Sequence, residues 1–201
     1  MTKLLFGTSN PHKLDEVRPI LAAAGIEVEG LDAVDPIPEP VEDADTFAGN
    51  ARIKARAYAA ASGRRCLAED SGLEVDALDG APGVYSARYA DSDGDRATRD
   101  AANNAKLLAA LADVPDERRG ARFVCAMCLV EPDGTIVAEA RGTYEGRITH
   151  APRGENGFGY DPLLFLPDRG CTSAELSPEE KNARSHRGAA ARALVKALSE
   201  P

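Results

Sequence analysis

No apolar stretch in the sequence reaches membrane length. The longest, Phe123-Val124-Cys125-Ala126-Met127-Cys128-Leu129-Val130, falls far short of the ~20 residues a spanning helix needs. Met1-Thr2-Lys3-Leu4-Leu5-Phe6 likewise lacks the long apolar region of a secretory leader, so the expectation is a cytoplasmic chain with no membrane partner. Cysteine is scarce, at four residues, and without an export signal these read as reduced thiols. Cys125 and Cys128 form a C-x-x-C. However, residues three apart on a strand face opposite ways, and no second Cys or His pair is spaced to complete a tetrahedral metal site, so core packing is the preferred reading. Cations are also in deficit, with 24 Lys and Arg against 33 Asp and Glu and a net charge of −9. That balance argues against general nucleic-acid binding. An anionic small substrate stays open, because cations clustered in a cleft outweigh distant charge screened over roughly 8–10 Å.

There remain 201 residues, 43% of them apolar, with no repeat or low-complexity tail. This is enough for one domain over residues 1–201, with room for two lobes. Lys3 to Thr8 reads as a buried strand and Ser9-Asn10-Pro11 as a turn. The spacing of Leu14, Val17, Ile20 or Leu21 and Ala24 predicts a helix closed by Gly25 and disturbed by Pro19. After a short strand at Glu27 to Glu29 and an acidic, proline-rich loop from Asp35 to Asp45, Thr46 is placed to cap a helix from Phe47 to Ser62 that ends at Gly63. Arg65 to Glu69 predicts a strand entering Asp70-Ser71-Gly72, and a helix is expected from Arg96 to Leu111. Arg122–Glu131 and Thr135–Gly142 flank Pro132-Asp133-Gly134, a hairpin signal, and Tyr144 to Thr149 adds a third strand. Ser177-Pro178-Glu179-Glu180 combines a capping box with proline at the first helical position and opens a helical ending that reaches Leu198. The fold class is α/β with a mixed sheet flanked by helices.

Four segments carry chemistry. In Thr8-Ser9-Asn10-Pro11-His12-Lys13 a strand end turns into a helix, where backbone N–H groups, hydroxyls and a lysine suit a phosphate, although no G-x-x-x-x-G-K-[ST] loop exists anywhere in the chain. Glu42 and Glu69-Asp70 are carboxylates of the kind that hold Mg²⁺ together with substrate phosphates, and an Asx-type turn at Asp70-Ser71-Gly72 is the equal alternative. In Arg153 to Pro162 three glycines surround Phe158 and Tyr160; an aromatic there either stacks on a base or anchors the loop. Lys181 to Gly188 concentrates cations in an otherwise acidic chain, where a solvated helix face is the plainer reading.

In order and spacing, six segments resemble the inosine triphosphate pyrophosphatase family, hydrolases of non-standard purine nucleoside triphosphates. They are Thr8-Ser9-Asn10-x-x-Lys13, Thr46-Phe47-x-x-Asn50-Ala51-x-x-Lys54-Ala55, Asp70-Ser71-Gly72-Leu73, Ala81 to Tyr89, Gly157 to Pro162 and Lys181-Asn182-x-x-Ser185-His186-Arg187-Gly188. The resemblance implies an elongated, strongly twisted mixed sheet in two lobes, a nucleotide in the cleft between them, and a homodimer. It also implies roles. Thr8, Ser9, Asn10, Pro11, His12 and Lys13 would hold the triphosphate with Lys54 nearby, while Glu42 and Asp70 would bind Mg²⁺ and Asp70 would also orient or deprotonate the attacking water. Ser71, Phe158, Gly159, Tyr160, Asp161, Lys181, His186 and Arg187 would line the rest. A donor from Ser185-His186-Arg187 aimed at a C6 carbonyl would disfavour adenine. One departure stands out, since many members carry an acidic residue before the asparagine where this chain has Gly49. The alternatives are a Maf-like pyrimidine triphosphate pyrophosphatase and a nucleotide-binding regulator without turnover, which would need no paired carboxylates.

Overall fold

The computed structural model describes residues 2–199. Among them seven strands form one sheet in the order β2-β1-β3-β4-β5-β6-β7. The strands are β1 (Thr2–Phe6), β2 (Ile26–Glu29), β3 (Cys66–Val75), β4 (Gly120–Val130), β5 (Ile136–Ile148), β6 (Leu164–Leu166) and β7 (Cys171–Thr172). β1 runs parallel to β2 and β3, whereas β6 is antiparallel to both β5 and β7, so the sheet is mixed as expected. Five α-helices accompany it: α1 (Pro11–Ala23), α2 (Phe47–Ser62), α3 (Arg96–Ala110), α4 (Pro178–Arg184) and α5 (His186–Ser199). None of the described helices is long and apolar enough to cross a membrane. The chain divides into two compact units, the first comprising 1–70, 125–143 and 185–201, the second 71–124 and 144–184.

In the first unit, apolar residues of β1, β3 and β4 pack with Val17 and Leu21 of α1 and with Ala190, Ala191 and Leu194 of α5. Pro19 lies inside α1 without ending it, and the helix runs on to Ala23 before Gly25 adopts a positive φ of 76°. α2 follows the sequence closely. The Thr46 hydroxyl accepts from Gly49 N at 3.1 Å and Gly63 closes the helix in the left-handed conformation. Its buried stripe is Phe47, Asn50, Ala51, Lys54, Ala55, Tyr58 and Ala59, at the three- and four-residue spacing of a helix face. Two of those seven are polar, and a polar residue in a buried stripe requires a partner.

The second unit has its own core, in which Leu107 and Leu111 meet Leu73, Phe123, Tyr144, Ile148 and Leu164. Arg119 is buried there. It donates to the carbonyls of Leu111, Ile148 and Thr149 at 2.7–2.9 Å, closing the end of α3 and the end of β5 with one guanidinium. The capping box at α4 is formed, because Glu180 N donates to the Ser177 hydroxyl and Ser177 N to the Glu180 carboxylate, both at 3.2 Å.

Two expectations are corrected. Asp70-Ser71-Gly72 is not a turn, since β3 continues through it to Val75. The third strand expected at Tyr144 is the second half of β5, a single strand of 13 residues. The helical ending is present as expected, as two helices with Ser185 at the break. Its hydroxyl accepts from Gly188 N at 3.0 Å, so α5 starts afresh at His186.

That restart is pressed against β5. A Cβ on Gly142 would stand 2.2 Å from the carbonyl oxygen of His186 and 2.5 Å from Ala190 N, both backbone atoms that cannot rotate away. Gly142→Ala should therefore push the first turn of α5 outward and cost about 1–3 kcal/mol, the usual range for overpacking. Urea unfolding checks this, and an unchanged midpoint would show that α5 does not sit this close to β5.

Candidate functional site

β1 ends at Phe6, paired with Leu67, so β3 runs on past its parallel neighbour and carries Glu69 and Asp70 beyond the end of β1. Consecutive strand residues point to opposite faces, and their partners differ accordingly.

On one side, Asp70 meets the polar pair of the α2 stripe. Asn50 Nδ2 donates to Asp70 Oδ2 at 3.1 Å, and Lys54 Nζ lies 3.3 Å from Asp70 Oδ1 and 2.7 Å from Glu42 Oε2. Burial by itself would discharge the Lys54 ammonium, but Asp70 and Glu42 outweigh it and raise its pKa above the ordinary lysine value. Two carboxylates thus share one ammonium. Asn50 Oδ1 in turn accepts from Ala44 N at 3.0 Å, which ties the loop carrying Glu42 to the helix that holds Asp70. Gly49 lies inside this arrangement, where a Cβ would meet the Ala44 Cβ at 2.5 Å.

On the other side, Glu69 is fully buried and accepts from Lys13 at 2.8 Å, from Arg187 Nε and Nη2 at 2.7 and 3.1 Å, and from the Cys125 thiol at 3.0 Å. Arg187 Nη1 donates to Glu16 at 2.5 Å. Burial opposes ionisation of Glu69, yet Arg187 and Lys13 prevail and hold its carboxyl well below the usual range. The same pair of carboxylates keeps the buried Arg187 guanidinium charged. Cys125 reads differently, because burial pushes its thiol well above the ordinary value, and burial likewise raises Cys66 to about 12 and Cys128 to about 11. All four cysteines are free.

The turn before α1 has the form of an anion cradle. Asn10 caps the helix by accepting from His12 N at 3.1 Å, Pro11 opens it, Thr8 accepts from Asn10 N at 3.2 Å, and no acidic residue occupies the first turn. Ser9 and His12 are exposed, and Ser9 donates to Glu39 at 3.2 Å.

In the second unit, Asp161 organises the glycine loop. Its Oδ2 meets Lys181 Nζ at 2.6 Å and accepts from Phe158 N at 2.8 Å, while Oδ1 accepts from the Ser173 hydroxyl at 2.8 Å. Gly157, at a φ of 79°, is required because a Cβ would stand 2.2 Å from Asp161 Oδ2. The Phe158 ring is faced by Arg96 at 4.4 Å and Lys181 at 4.9 Å. Gly159 is gripped by α3, donating to Asp100 at 2.9 Å and accepting from Asn104 at 3.0 Å. Tyr160 belongs to the core of this unit, with its phenol donating to Ser86 O at 2.9 Å.

The sequence candidates of the first unit therefore gather around two neighbouring carboxylates, Lys54 and Glu42 with Asp70, and Lys13 and Arg187 with Glu69. Those of the second unit, Phe158, Gly159, Asp161 and Lys181, form one loop-and-helix cluster. Ser71 is half-buried on β3, and His186 is buried at the start of α5. Sequence reasoning missed Asn50, Glu16, Arg96, Asp100 and Asn104 as supporting partners. Asn50 had a signal, being polar in a buried helical stripe; the others had none at sequence level. Glu69 had been grouped with Asp70, whereas β3 turns them to different partners.

The Glu69 network makes a stability prediction. Arg187→Leu leaves a buried carboxylate one cation short and should cost about 3–5 kcal/mol near pH 7. Because the folded-state pKa of Glu69 is depressed, its contribution is full above the ordinary glutamate range and fades as pH falls through the folded value. The gap between the two proteins in urea unfolding should narrow on acidification below about pH 4.3. A gap independent of pH would exclude Glu69 as its cause.

The sequence pattern of the Ham1 family matches residues 4–197. A dITP/XTP pyrophosphatase of Nitratidesulfovibrio vulgaris is 54% identical over 199 residues, covering 97% of this chain and 96% of its own length. One from Nocardia farcinica is 54% identical over 203 residues, covering 99% and 96%. Among solved structures, a HAM1 protein from Coxiella burnetii matches with a TM-score of 0.89 at 39% identity over 100% of both chains. With the six motifs in register, near-complete coverage and the same fold, this chain belongs to the Ham1 family.

Proposed function

We propose that the chain hydrolyses deaminated purine nucleoside triphosphates, ITP, dITP and XTP, to the monophosphate and pyrophosphate, and so clears them from the cytoplasmic pool before they enter DNA or RNA. The observation that carries the reading is the convergence of Asp70 and Glu42 on the single ammonium of Lys54. Two carboxylates, one buried and one half-buried, against one buried lysine are one positive charge short of neutral, and a cation resolves that imbalance. The curated relatives named dITP/XTP pyrophosphatase support the choice of substrate.

The donor set fits Mg²⁺. It consists of carboxylate oxygens alone, and among the described residues no group of three His, Cys, Asp or Glu forms a complete protein cage, which suits an ion that keeps water and substrate phosphates as ligands. Glu42 and Asp70 would hold it. When bound, the ion supplies positive charge to the phosphoryl oxygens and makes a coordinated water more acidic. The remaining work falls to the chain. Lys54 takes phosphate charge, Lys13 and the open first turn of α1 hold the triphosphate, and Asp70, fixed by Asn50, orients the attacking water and accepts its proton.

Base recognition is assigned to Phe158, Asp161, Lys181 and the start of α5. Phe158 would stack on any base, adding about 1–3 kcal/mol without choosing among them. The guanidinium of Arg187 donates to Glu69 and Glu16, so a donor offered to the C6 carbonyl comes from His186, or from Arg187 once it leaves Glu16. Either donor would lie unpaired against the adenine amino group, which makes ATP a poor substrate. A homodimer, implied by the family resemblance, is the proposed assembly, and sedimentation tests it.

A screen of ITP, dITP, XTP, ATP, GTP and the pyrimidine triphosphates with pyrophosphate detection tests the substrate. Turnover of ITP and XTP well above that of ATP is expected, and a preference for pyrimidines would point to the Maf-like reading. Asp70→Asn should lower kcat by about 10²–10⁴ while circular dichroism stays native, the range for losing a positioned acid–base group. Near wild-type turnover would remove Asp70 from the chemistry.

Oxygen ligands alone also predict the metal response. EDTA should abolish turnover and Mg²⁺ restore it, with Mn²⁺ an effective substitute and Zn²⁺ a poor one. Undiminished activity in chelator would overturn the assignment of Glu42 and Asp70.

A further inference from the structure

Lys54 reaches both carboxylates assigned to the cation. Its ammonium stands 2.7 Å from Glu42 Oε2 and 3.3 Å from Asp70 Oδ1, bridging the loop before α2 to β3. A divalent ion taking one oxygen from each would be drawn into the same gap, at the ~2.0–2.1 Å that Mg²⁺ requires of its ligands. Two positive charges crowded into that gap repel strongly, because the Lys54 and Asp70 side chains are almost wholly removed from solvent screening.

The two carboxylates do not depend on Lys54 for their positions. Asn50, one helical turn earlier on α2, donates to Asp70 Oδ2 at 3.1 Å, the oxygen that Lys54 leaves alone. The same side chain accepts from Ala44 N at 3.0 Å, two residues beyond Glu42. The amide cannot be flipped, since its oxygen would then face the Asp70 carboxylate and its NH₂ the Ala44 N–H. Lys54 can thus withdraw on its flexible stem while both ligands stay in place.

Charge gives the withdrawal a direction. With Lys54 between them, Glu42 and Asp70 keep one uncompensated negative charge. A divalent ion in that position makes the group neutral and releases a full positive charge to an incoming anion. We propose that Lys54 and the divalent ion are alternative occupants of the position between Glu42 and Asp70. Lys54 holds the position in the substrate-free protein and passes to the substrate phosphates when the ion enters. This exchange rests on the assignment of Glu42 and Asp70 as ligands of the ion.

Titration of nucleotide-free protein with Mn²⁺, followed by EPR of the free ion, tests it. Lys54→Met keeps the apolar stem without the ammonium, and it should bind Mn²⁺ about tenfold or more tighter than the wild type, as removal of a competing charge from a poorly solvated site implies. Its ITP turnover should nevertheless fall, so that metal affinity and activity move in opposite directions. Lys54→Gln should repeat the gain. Lys13→Met, which removes a cation from the neighbouring Glu69 instead, should leave Mn²⁺ affinity nearly unchanged. Affinity equal to or below that of the wild type in both Lys54 variants would overturn the exchange, as would an equal gain in Lys13→Met. Asp70→Asn or Glu42→Gln added to Lys54→Met should abolish the gain. A gain that survives both additions would remove the two carboxylates as ligands, and so would sink the underlying assignment rather than the exchange alone.

Discussion

A carboxylate shut away from water has to be met by cations or donors, or it will not stay ionised. β3 shuts away two in succession, Glu69 and Asp70, and strand alternation turns each toward different partners. Much of the first unit is arranged around that demand. Lys13 comes from the first turn of α1 and Arg187 from the first turn of α5, converging on Glu69, while Asn50 and Lys54 interrupt the apolar stripe of α2 where Asp70 faces it. The requirement also reaches Gly142, since α5 can deliver Arg187 only if its opening turn lies against the β5 backbone.

The two carboxylates are neutralised to different degrees. Around Glu69 the account balances, with Glu69 and Glu16 against Lys13 and Arg187, and the bonds are short and dry. That balance fixes the starts of α1 and α5, where Lys13 and Arg187 stand, against β3. Around Asp70 the groups are Asp70 and Glu42 against Lys54 alone. That side has capacity left for a cation, and a partly desolvated carboxylate with a fixed hydrogen bond from Asn50 is suited to orienting water. β3 therefore carries the balanced carboxylate one residue before the one left with an uncompensated charge beside it.

Features governed by local rules were legible in the sequence. α2 runs from its Thr46 cap to its Gly63 terminator as expected, and the capping box at Ser177 and the hairpin turn after β4 obey the same kind of short-range chemistry. Errors arose where tertiary pairing overrides local preference. Asp70-Ser71-Gly72 has the composition of a turn, yet β3 stays extended there because Asp70 is engaged by α2 and Leu73 N donates to the Ser86 hydroxyl at 2.9 Å. The candidate site residues were named as types and segments through the resemblance. Their division between Glu69 and Asp70 was not, because pairing across 118 positions, as between Glu69 and Arg187, leaves no local trace. The grip of Asp100 and Asn104 on Gly159 was invisible for the same reason.

Gly49, the departure from the family pattern, has a packing reason of its own. An acidic side chain there would begin with a Cβ 2.5 Å from that of Ala44, so it could not coexist with the loop as this chain folds it. Asn50 holds that loop directly. Its amide oxygen accepts from Ala44 N while its amide nitrogen donates to Asp70, so one side chain sets both the approach of the Glu42 loop and the orientation of the carboxylate opposite. Glycine at position 49 lets Ala44 come close enough for the first of those bonds to form. With the loop fixed in this way, Glu42 reaches Lys54 at 2.7 Å without help from a neighbouring acid, and the second carboxylate of the pair is supplied from the loop rather than from the helix.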